Sequence, residues 1–210
     1  MMWSWISANG AQIWQLTKQN MILGIIPPLI GLAISLPLGI IAARWRWFYP
    51  PTLTVVNVIY AIPALALFIA LIPALGLTDT NVIVALTLFS LCVIVPNVVA
   101  GLRGVPPSVR QAATAMGYGA LRRLITVELP VAVPVIMGGL RVAMVSSISL
   151  ASVGQLIGVS SLGYLFIDGE QRDFPTEIYV GLVLIIALAL AADLILVGIR
   201  RVLTPWMARS

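Results

Sequence analysis

The 210-residue chain is 60% hydrophobic and only 9% charged, with 12 Lys and Arg residues against 7 Asp and Glu. Its mean hydropathy of +1.08 is far outside the range of water-soluble domains, so the composition excludes an ordinary soluble globule. The chain has no His, and its single Lys, Lys18, is not surrounded by P-loop glycines, which excludes His-based catalysis and Walker-type ATP binding by this chain.

The first segment, residues 1–20, carries few charges and three tryptophans, Trp3, Trp5 and Trp14. Tryptophan concentrates at membrane–water interfaces, so this segment is predicted to be a helix that lies on or near one membrane surface. It lacks the basic region that opens a secretory signal, so we do not expect it to be cleaved as one.

The sequence from residue 21 to residue 205 contains five apolar segments that are each long enough to cross a bilayer, which takes about 20 residues. The predicted spans are residues 21–42, 53–77, 82–102, 131–158 and 178–199, and residues 206–210 form a tail. The fourth span is longer than one crossing needs, so its end is expected to tilt, break or re-enter. The prediction is an all-α membrane protein, in which Cys92 is a small buried residue.

Proline occurs repeatedly inside the first three spans, at Pro27, Pro28, Pro37, Pro63, Pro73 and Pro96. Each proline frees a backbone carbonyl and bends a helix, which a membrane tolerates where neighbouring helices satisfy the freed group. Two interpretations stay open. The prolines are functional kinks within a packed bundle, or they are the ordinary prolines of membrane helices.

Basic residues alternate between the two ends of the predicted spans. Nine of the 12 fall in the first loop, the third loop and the tail: Arg44, Arg46, Arg103, Arg110, Arg122, Arg123, Arg200, Arg201 and Arg209. The opposite side holds five of the seven acidic residues: Asp79, Asp168, Glu170, Asp173 and Glu177. The positive-inside rule therefore predicts an outer N-terminus and a cytoplasmic C-terminus. This pattern accounts for the net charge of +5 without a nucleic-acid partner.

The loop at residues 106–130 is a polar, basic interruption between the third and fourth spans. Ser108 followed by Gln111 has the spacing of a capping box, which predicts a helix with Ser108 at its N-cap. Gly117 is expected to end that helix, and a second short helix is predicted over residues 120–128. An apolar stripe that could insert into a groove on a partner is formed by Val109, Ala112, Ala113 and Met116.

The same loop resembles the cytoplasmic coupling loop of binding-protein-dependent ABC importer permeases. The residues that carry the resemblance are Gln111-Ala112-Ala113, then Gly117, then Leu129-Pro130 at the start of an apolar run; the family usually has Glu where this chain has Gln111. The resemblance implies that the loop docks on an ATPase subunit that binds ATP and Mg, and that this chain itself is not an enzyme. The implied coupling residues are Ser108, Val109, Gln111, Ala112, Ala113, Met116, Gly117, Leu129 and Pro130. The alternative is an ordinary amphipathic helix between two spans.

A narrower resemblance, to permeases for glycine betaine, carnitine and choline, rests on residues 127–157, Leu162-Gly163 and the C-terminal stretch ADLILVGIRRVLTP. It implies a MetI-like type I ABC importer permease fold, with five core transmembrane helices plus the N-terminal interfacial helix, in the plasma membrane. The implied partners are an ABC ATPase, an extracytoplasmic substrate-binding protein, and a second copy or a homologous permease. Two rival functions remain: a permease for another small solute such as an amino acid, and a channel or assembly protein without an ATPase.

Polar residues inside the spans are candidates for function because charge is costly in a bilayer. Arg141 in the fourth span and Asp193 in the fifth could pair as a structural clamp, and Arg141 could instead face the pathway or reach the cytoplasmic surface. A second set is interpreted either as a helix-packing row or as the wall of a pathway: Gly139, Ala143, Ser146, Ser147, Ser149, Ser152 and Gln155. The single aromatics Tyr60, Tyr164, Phe166 and Tyr179 are interpreted as packing or interface residues.

Overall fold

The structure is a computed structural model that describes residues 2–45 and 47–206, and for residues 2–4 it describes the backbone alone. Within those ranges the chain is helical and contains no β-strand. Arg46 and Arg209, which the charge argument uses, and the side chain of Trp3 lie outside the described residues.

Ten α-helices follow one another along the described chain. They are α1 Met2–Ala8, α2 Gly10–Arg44, α3 Tyr49–Ala61, α4 Ala64–Leu75, α5 Asp79–Arg103, α6 Pro107–Ala115, α7 Ala120–Arg123, α8 Leu129–Ala151, α9 Gly163–Gln171 and α10 Pro175–Leu203. A π-helical turn at Leu124–Glu128 joins α7 to α8, and a 3-10 helix at Ser152–Ile157 follows α8.

The first long helix, α2, has 35 residues and begins at Gly10, whereas the sequence predicted the first span from residue 21. At 1.5 Å per residue it is roughly 50 Å long, which exceeds the hydrocarbon thickness of a bilayer. No proline interrupts the helix before Pro27, and Asn20 is fully buried, so the helix runs unbroken past the boundary predicted at residue 20. Within the segment predicted to lie on a membrane surface, residues 1–20, only α1 is a helix separate from the first span. Its Trp5 packs against Phe174 with ring centroids 6.0 Å apart.

The second predicted span is two helices, α3 and α4, that meet at an angle of 97°. The break falls at Ile62-Pro63. Ile62 is extended (φ −75°, ψ 126°) because proline disfavours helical backbone in the residue before it. Pro63 itself also lacks the N–H that would continue the helix. The kink expected from this proline is therefore a complete break in the span.

The bent pair carries the chain from one end of the bundle to the other. At one end, Arg103 donates to the carbonyl of Ala42 at 2.9 Å, so the end of α2 meets the end of α5. At the other end, Gln19 donates to Asp79 at 2.6 Å, so the N-terminal half of α2 meets the start of α5. Helices α2 and α5 are thus antiparallel, and α3–α4 must cross between them. Counted with the bent pair as one span, the described chain has five segments that are long and apolar enough to cross a membrane.

Helix α5 lies at the centre of the bundle, where it packs against α2, α3, α4 and α8. Close approach between α2 and its neighbours depends on glycine. A Cβ built on Gly39 would overlap the side chain of Val98, and one built on Gly24 would lie 2.8 Å from the Ile148 backbone. These contacts fix α2 against α5 and α8.

The fourth span breaks near its C-terminal end, one of the outcomes predicted from its length. Helix α8 gives way to the 3-10 turn, and Gly158 then takes a left-handed conformation (φ +83°) that ends it. Asn20 holds this region together, because its side chain donates to the carbonyl of Ile148 and accepts from the N–H of Leu162. The N-terminal half of α2, the end of α8 and the start of α9 are therefore bound into one unit.

Candidate functional site

Helix α6 begins with two prolines. Pro106 occupies the N-cap and Pro107 the first helical position, where a missing N–H costs nothing. Ser108 lies inside the helix and makes no capping hydrogen bond, so the prediction that Ser108 and Gln111 form a capping box is wrong. The reason is that Pro107 already has the backbone angle of a helix, which starts the helix one residue before Ser108. Gln111 is exposed on the helix surface.

The end of α6 is a Schellman turn, and Gly117 forms it. The N–H of Tyr118 donates to the carbonyl of Ala113 at 3.1 Å, and the N–H of Gly117 donates to that of Thr114 at 2.9 Å. Gly117 has a φ of +82°, a conformation that side chains with a Cβ rarely adopt. The helix stop expected at Gly117 is therefore present, whereas Gly119 caps the start of α7 with ordinary extended backbone.

Substituting valine at these two glycines separates backbone strain from steric bulk. Neither glycine has an atom within 4 Å of an added Cβ, so bulk alone is tolerated at both. Gly117→Val would force a β-branched residue into left-handed backbone at a cost of about 1–2 kcal/mol, whereas Gly119→Val would meet no such strain. We expect Gly117→Val to lower the thermal unfolding midpoint of the purified protein by about 2–8 °C. Equal midpoints for the two variants would contradict this description of the turn.

The apolar stripe of α6 faces inward. Ala113 is only 1% exposed and Val109 is half-buried, because α6 lies against the π-helical turn of its own chain. The expectation that Ala113 inserts into a partner is therefore corrected: this residue already packs within the chain. The outward face consists of Ala112, Ala115 and the 70%-exposed Met116.

A second exposed apolar group lies beside this face. Leu121 in α7 and Ile125 in the π-helical turn are 69% and 56% exposed, whereas Leu124 between them is buried. We name Ala112, Ala115, Met116, Leu121 and Ile125 the cytoplasmic face, after the side of the membrane on which the charge pattern predicts this loop to lie.

The cytoplasmic face is joined to the spans by hydrogen bonds. Arg123 forms an ion pair with Glu128 (Nε to Oε1, 2.8 Å) and donates to the hydroxyl of Thr114 in α6 at 2.9 Å. Arg110, also in α6, donates to the carbonyl of Leu102 near the end of α5. These contacts connect α6 to the π-helical turn before α8 and to the end of α5.

Leu129 and Pro130 open α8 directly after the π-helical turn. The N–H of Leu129 donates to the carbonyl of Leu124, five residues earlier, and this wider turn accommodates the proline that follows. The sequence predicted a second short helix up to residue 128. The structure instead continues from α7 through the turn into the span.

Small and polar residues of α8 divide between two faces. Gly139, Ala143 and Ser147 are buried, and a Cβ on Gly139 would lie 2.7 Å from Asn97 of α5, so this row packs helices together. Ser146 and Ser149 lie on the open face. Gly139 therefore serves helix packing, whereas Ser146 and Ser149 line a cavity that Ala143 and Ser147 also border.

Ser152 and Gln155 belong to the 3-10 turn beyond α8. The hydroxyl of Ser152 donates to the carbonyl of Ser149 at 2.7 Å, and the side chain of Gln155 accepts from the N–H of Ser161 at 3.3 Å. Both side chains thus bond to the backbone around them. The structure does not bring them together with Ser146, which lines the cavity.

Arg141 and Asp193 form a bidentate ion pair between α8 and α10. The two donor–acceptor distances are 2.6 Å (Nε to Oδ1) and 2.7 Å (to Oδ2), and both side chains are about three-quarters buried. Parallel double contacts of this kind are the strongest arrangement of a guanidinium and a carboxylate. Of the two roles considered for Arg141, the geometry favours the clamp. No cluster of three or more His, Cys, Asp or Glu residues that could hold a metal occurs in the described ranges.

The sequence predicted only a packing or interface role for Tyr60. This residue is 62% exposed at the end of α3, and its ring contacts that of Phe89 in α5, with centroids 6.2 Å apart and planes at 79°. Both rings line a cavity of about 390 Å³ together with serines of α8. The only signal in the sequence was the proximity of Tyr60 to Pro63, where the span breaks.

A sequence model of the family "Binding-protein-dependent transport system inner membrane component" matches residues 35–209. The chain is also 32% identical, over 94% of both lengths, to the "Osmoprotectant import permease protein OsmW" of Salmonella typhimurium. It is 32% identical to the "Glycine betaine/carnitine/choline transport system permease protein OpuCD" of Bacillus subtilis, over 96% of this chain and 89% of the relative.

Among solved structures, the fold is similar to a chain of the MetNI methionine ABC transporter in an inward-facing conformation. The TM-score is 0.78 at 21% identity, over 91% of this chain and 96% of the other. At this identity the likeness concerns the fold alone, and it is the type I importer permease fold that the sequence predicted.

Proposed function

The chain belongs to the family of binding-protein-dependent transport system inner membrane components, and on that premise we propose that it is the permease subunit of an ATP-driven importer of quaternary-ammonium compatible solutes. Solutes of the glycine betaine, carnitine and choline type are supported by the printed names of the similar permeases. The permease role is supported by the family match, which covers most of the chain.

One structural observation supports a role of this chain in coupling to an ATPase. The cytoplasmic face presents Met116 and Leu121 to solvent, and the helix bearing Met116 is bonded to two spans through Arg110 and Arg123. An exposed apolar surface of this kind is typical of a docking site for a partner. An ATPase bound there would move α6, and the two sets of hydrogen bonds would pass that motion to α5 and α8.

In this proposal the chain performs no covalent chemistry. A partner subunit binds ATP and Mg, because the one Lys of this chain, Lys18, is not part of a P-loop. A separate extracytoplasmic binding protein makes the first selection of the solute. The permease then alternates between inward-open and outward-open states, at an interface with a second copy or a homologous permease.

Two rival functions give different experimental results. A permease for an amino acid would associate with an ATPase but import a primary amine, and a channel or assembly protein would associate with no ATPase at all. Affinity purification of the tagged chain from its native membrane tests the second rival directly. Recovery of a P-loop ATPase subunit supports the importer, and its absence under conditions that keep the permeases paired would exclude coupling.

The proposed topology places the N-terminus outside and the C-terminus in the cytoplasm. In a Cys92→Ala background, cysteines at exposed Ser108 in α6 and exposed Gln171 in α9 should react from opposite sides of intact cells. A membrane-impermeant maleimide is expected to label the Gln171→Cys protein at once, and the Ser108→Cys protein only after the cells are opened. Labelling of both proteins in intact cells would overturn the topology.

A further inference from the structure

A cavity of about 390 Å³ lies between α3, α5 and α8, within the range of small-molecule sites. Its walls are mostly apolar, with one tyrosine and four serines as the polar contributors, and none of the lining residues is charged. Tyr60 comes from the helix that ends at the break in the second span. The cavity is therefore bordered by a hinge in the backbone as well as by two continuous helices.

Two aromatic rings form one wall of the cavity. Tyr60 and Phe89 meet edge to face, so that they present a corner of two rings, and Tyr60 remains 62% exposed despite this contact. Each ring carries negative charge density on its face and attracts a cation placed within about 6 Å of its centre. A corner of this kind can surround part of a cationic group without any carboxylate.

The opposite wall contains a hydroxyl without a partner. Ser147 is 3% exposed and its Oγ forms no hydrogen bond within the described chain, which is also true of the buried Ser35 outside the cavity. Ser90 across the cavity donates to the carbonyl of Leu86 at 2.8 Å. A buried hydroxyl left unbonded destabilises a protein, so Ser147 has an unused capacity to bond a ligand.

We propose that this cavity is a transient binding site for the quaternary-ammonium group of the transported solute, with Tyr60 and Phe89 contacting the cation and Ser147 donating to the polar end of the solute. This inference rests on the proposed function and names the place in the permease where the solute pauses.

The chemistry of the walls favours a quaternary over a primary ammonium. A primary ammonium has three N–H donors, which need oxygen acceptors or a carboxylate when water is removed. The lining side chains offer no carboxylate, and their only oxygens are the hydroxyls of Tyr60 and four serines, which compensate an ammonium charge less well than a carboxylate does. A trimethylammonium group has no N–H donor, so aromatic faces and apolar side chains suffice for it.

The nearby ion pair is compatible with this site. A second cavity of about 370 Å³ is lined by Arg141 and Asp193 and shares Val142, Val145 and Ser146 with the first. An unpaired Arg141 there would repel a cation. Its bidentate contact with Asp193 neutralises the charge, so that the second cavity carries no net positive charge.

The test uses the complete transporter, purified with its ATPase and binding protein and reconstituted into liposomes. ATP-driven uptake of radiolabelled glycine betaine is measured for the wild type, Tyr60→Leu and Tyr60→Phe. Tyr60→Leu is expected to reduce uptake about tenfold, whereas Tyr60→Phe, which keeps the ring, should stay within about twofold of the wild type. Ser147→Ala is expected to raise the KM for glycine betaine several-fold.

The outcomes separate this inference from the proposed function. If the wild type imports glycine betaine and Tyr60→Leu does so equally well, the site is overturned and the proposed function stands. If Tyr60→Leu and Tyr60→Phe lose uptake equally, the ring has no specific role and the site is again overturned. If the wild type imports no quaternary ammonium compound although ATP hydrolysis is coupled, the proposed substrate class fails and the site fails with it.

Discussion

Met116→Asp is expected to leave the membrane helices folded and to release the ATPase subunit. Met116 is 70% exposed on the cytoplasmic face, so a carboxylate there does not disturb the packing of the chain itself. In the docked complex the same carboxylate would be buried without a partner. We expect a loss of at least about 3 kcal/mol, roughly 100-fold in affinity for the ATPase. Quantitative co-purification measures it.

Two further variants make this result specific. Met116→Leu keeps an apolar side chain of similar size and should retain the ATPase. Ala113→Asp places the same charge at a position that is 1% exposed inside the chain, so it should lower the yield of folded protein as well as ATPase binding. Wild-type amounts of bound ATPase in the Met116→Asp protein, confirmed at equal expression, would show that docking uses another surface.

Asp193→Asn is expected to damage the protein more than removal of the whole ion pair. The single change leaves the guanidinium of Arg141 uncompensated near the middle of α8, a position where an isolated charge costs about 2.5–3.5 kcal/mol. Replacing both partners by apolar residues, Arg141→Met with Asp193→Leu, removes the charges together and should restore much of the stability.

The comparison is made on yield and thermal stability in detergent. We expect low yield for Asp193→Asn and near-normal yield for the double variant. Transport by the double variant then shows whether the ion pair has a structural or a transport role. Normal uptake identifies the pair as a structural clamp, whereas normal folding without uptake places the pair in the solute pathway. Equal stability of Asp193→Asn and the wild type would contradict the clamp.

The sequence predicted the elements whose cause is local or compositional. Long apolar runs define the spans whatever the packing, and the Arg141–Asp193 contact could be anticipated because two charges in adjacent spans have few alternatives to pairing. The glycine stop at Gly117 followed in the same way from backbone sterics. These features depend on short stretches of chain or on the bilayer itself.

Features that depend on tertiary contact were not predictable to the same degree. The stripe through Ala113 has the right spacing for a docking face, but spacing does not say whether the partner is another protein or the chain's own π-helical turn. Likewise the capping box at Ser108 competes with Pro107 for the start of α6, and the proline prevails because its φ is fixed by covalent structure.

The aromatic cavity likewise depends on contact between residues that are far apart in the sequence. Tyr60 and Phe89 lie in different helices, and their rings meet through the 97° break at Pro63 and the packing of α3 on α5. The sequence indicated a kink at Pro63, but its angle is set by the neighbours of the bent pair. The side chains that the break brings together could therefore be identified only from the structure.

The central claim is that this chain imports quaternary-ammonium solutes with energy from ATP hydrolysed by a partner. Its most direct measurement is solute uptake into proteoliposomes containing the chain, its ATPase and its binding protein, with ATP supplied on the ATPase side. Glycine betaine, carnitine or choline should accumulate against its gradient, and uptake should require both ATP and the binding protein. Accumulation of an amino acid in place of these solutes, or equilibration without ATP, would contradict the claim.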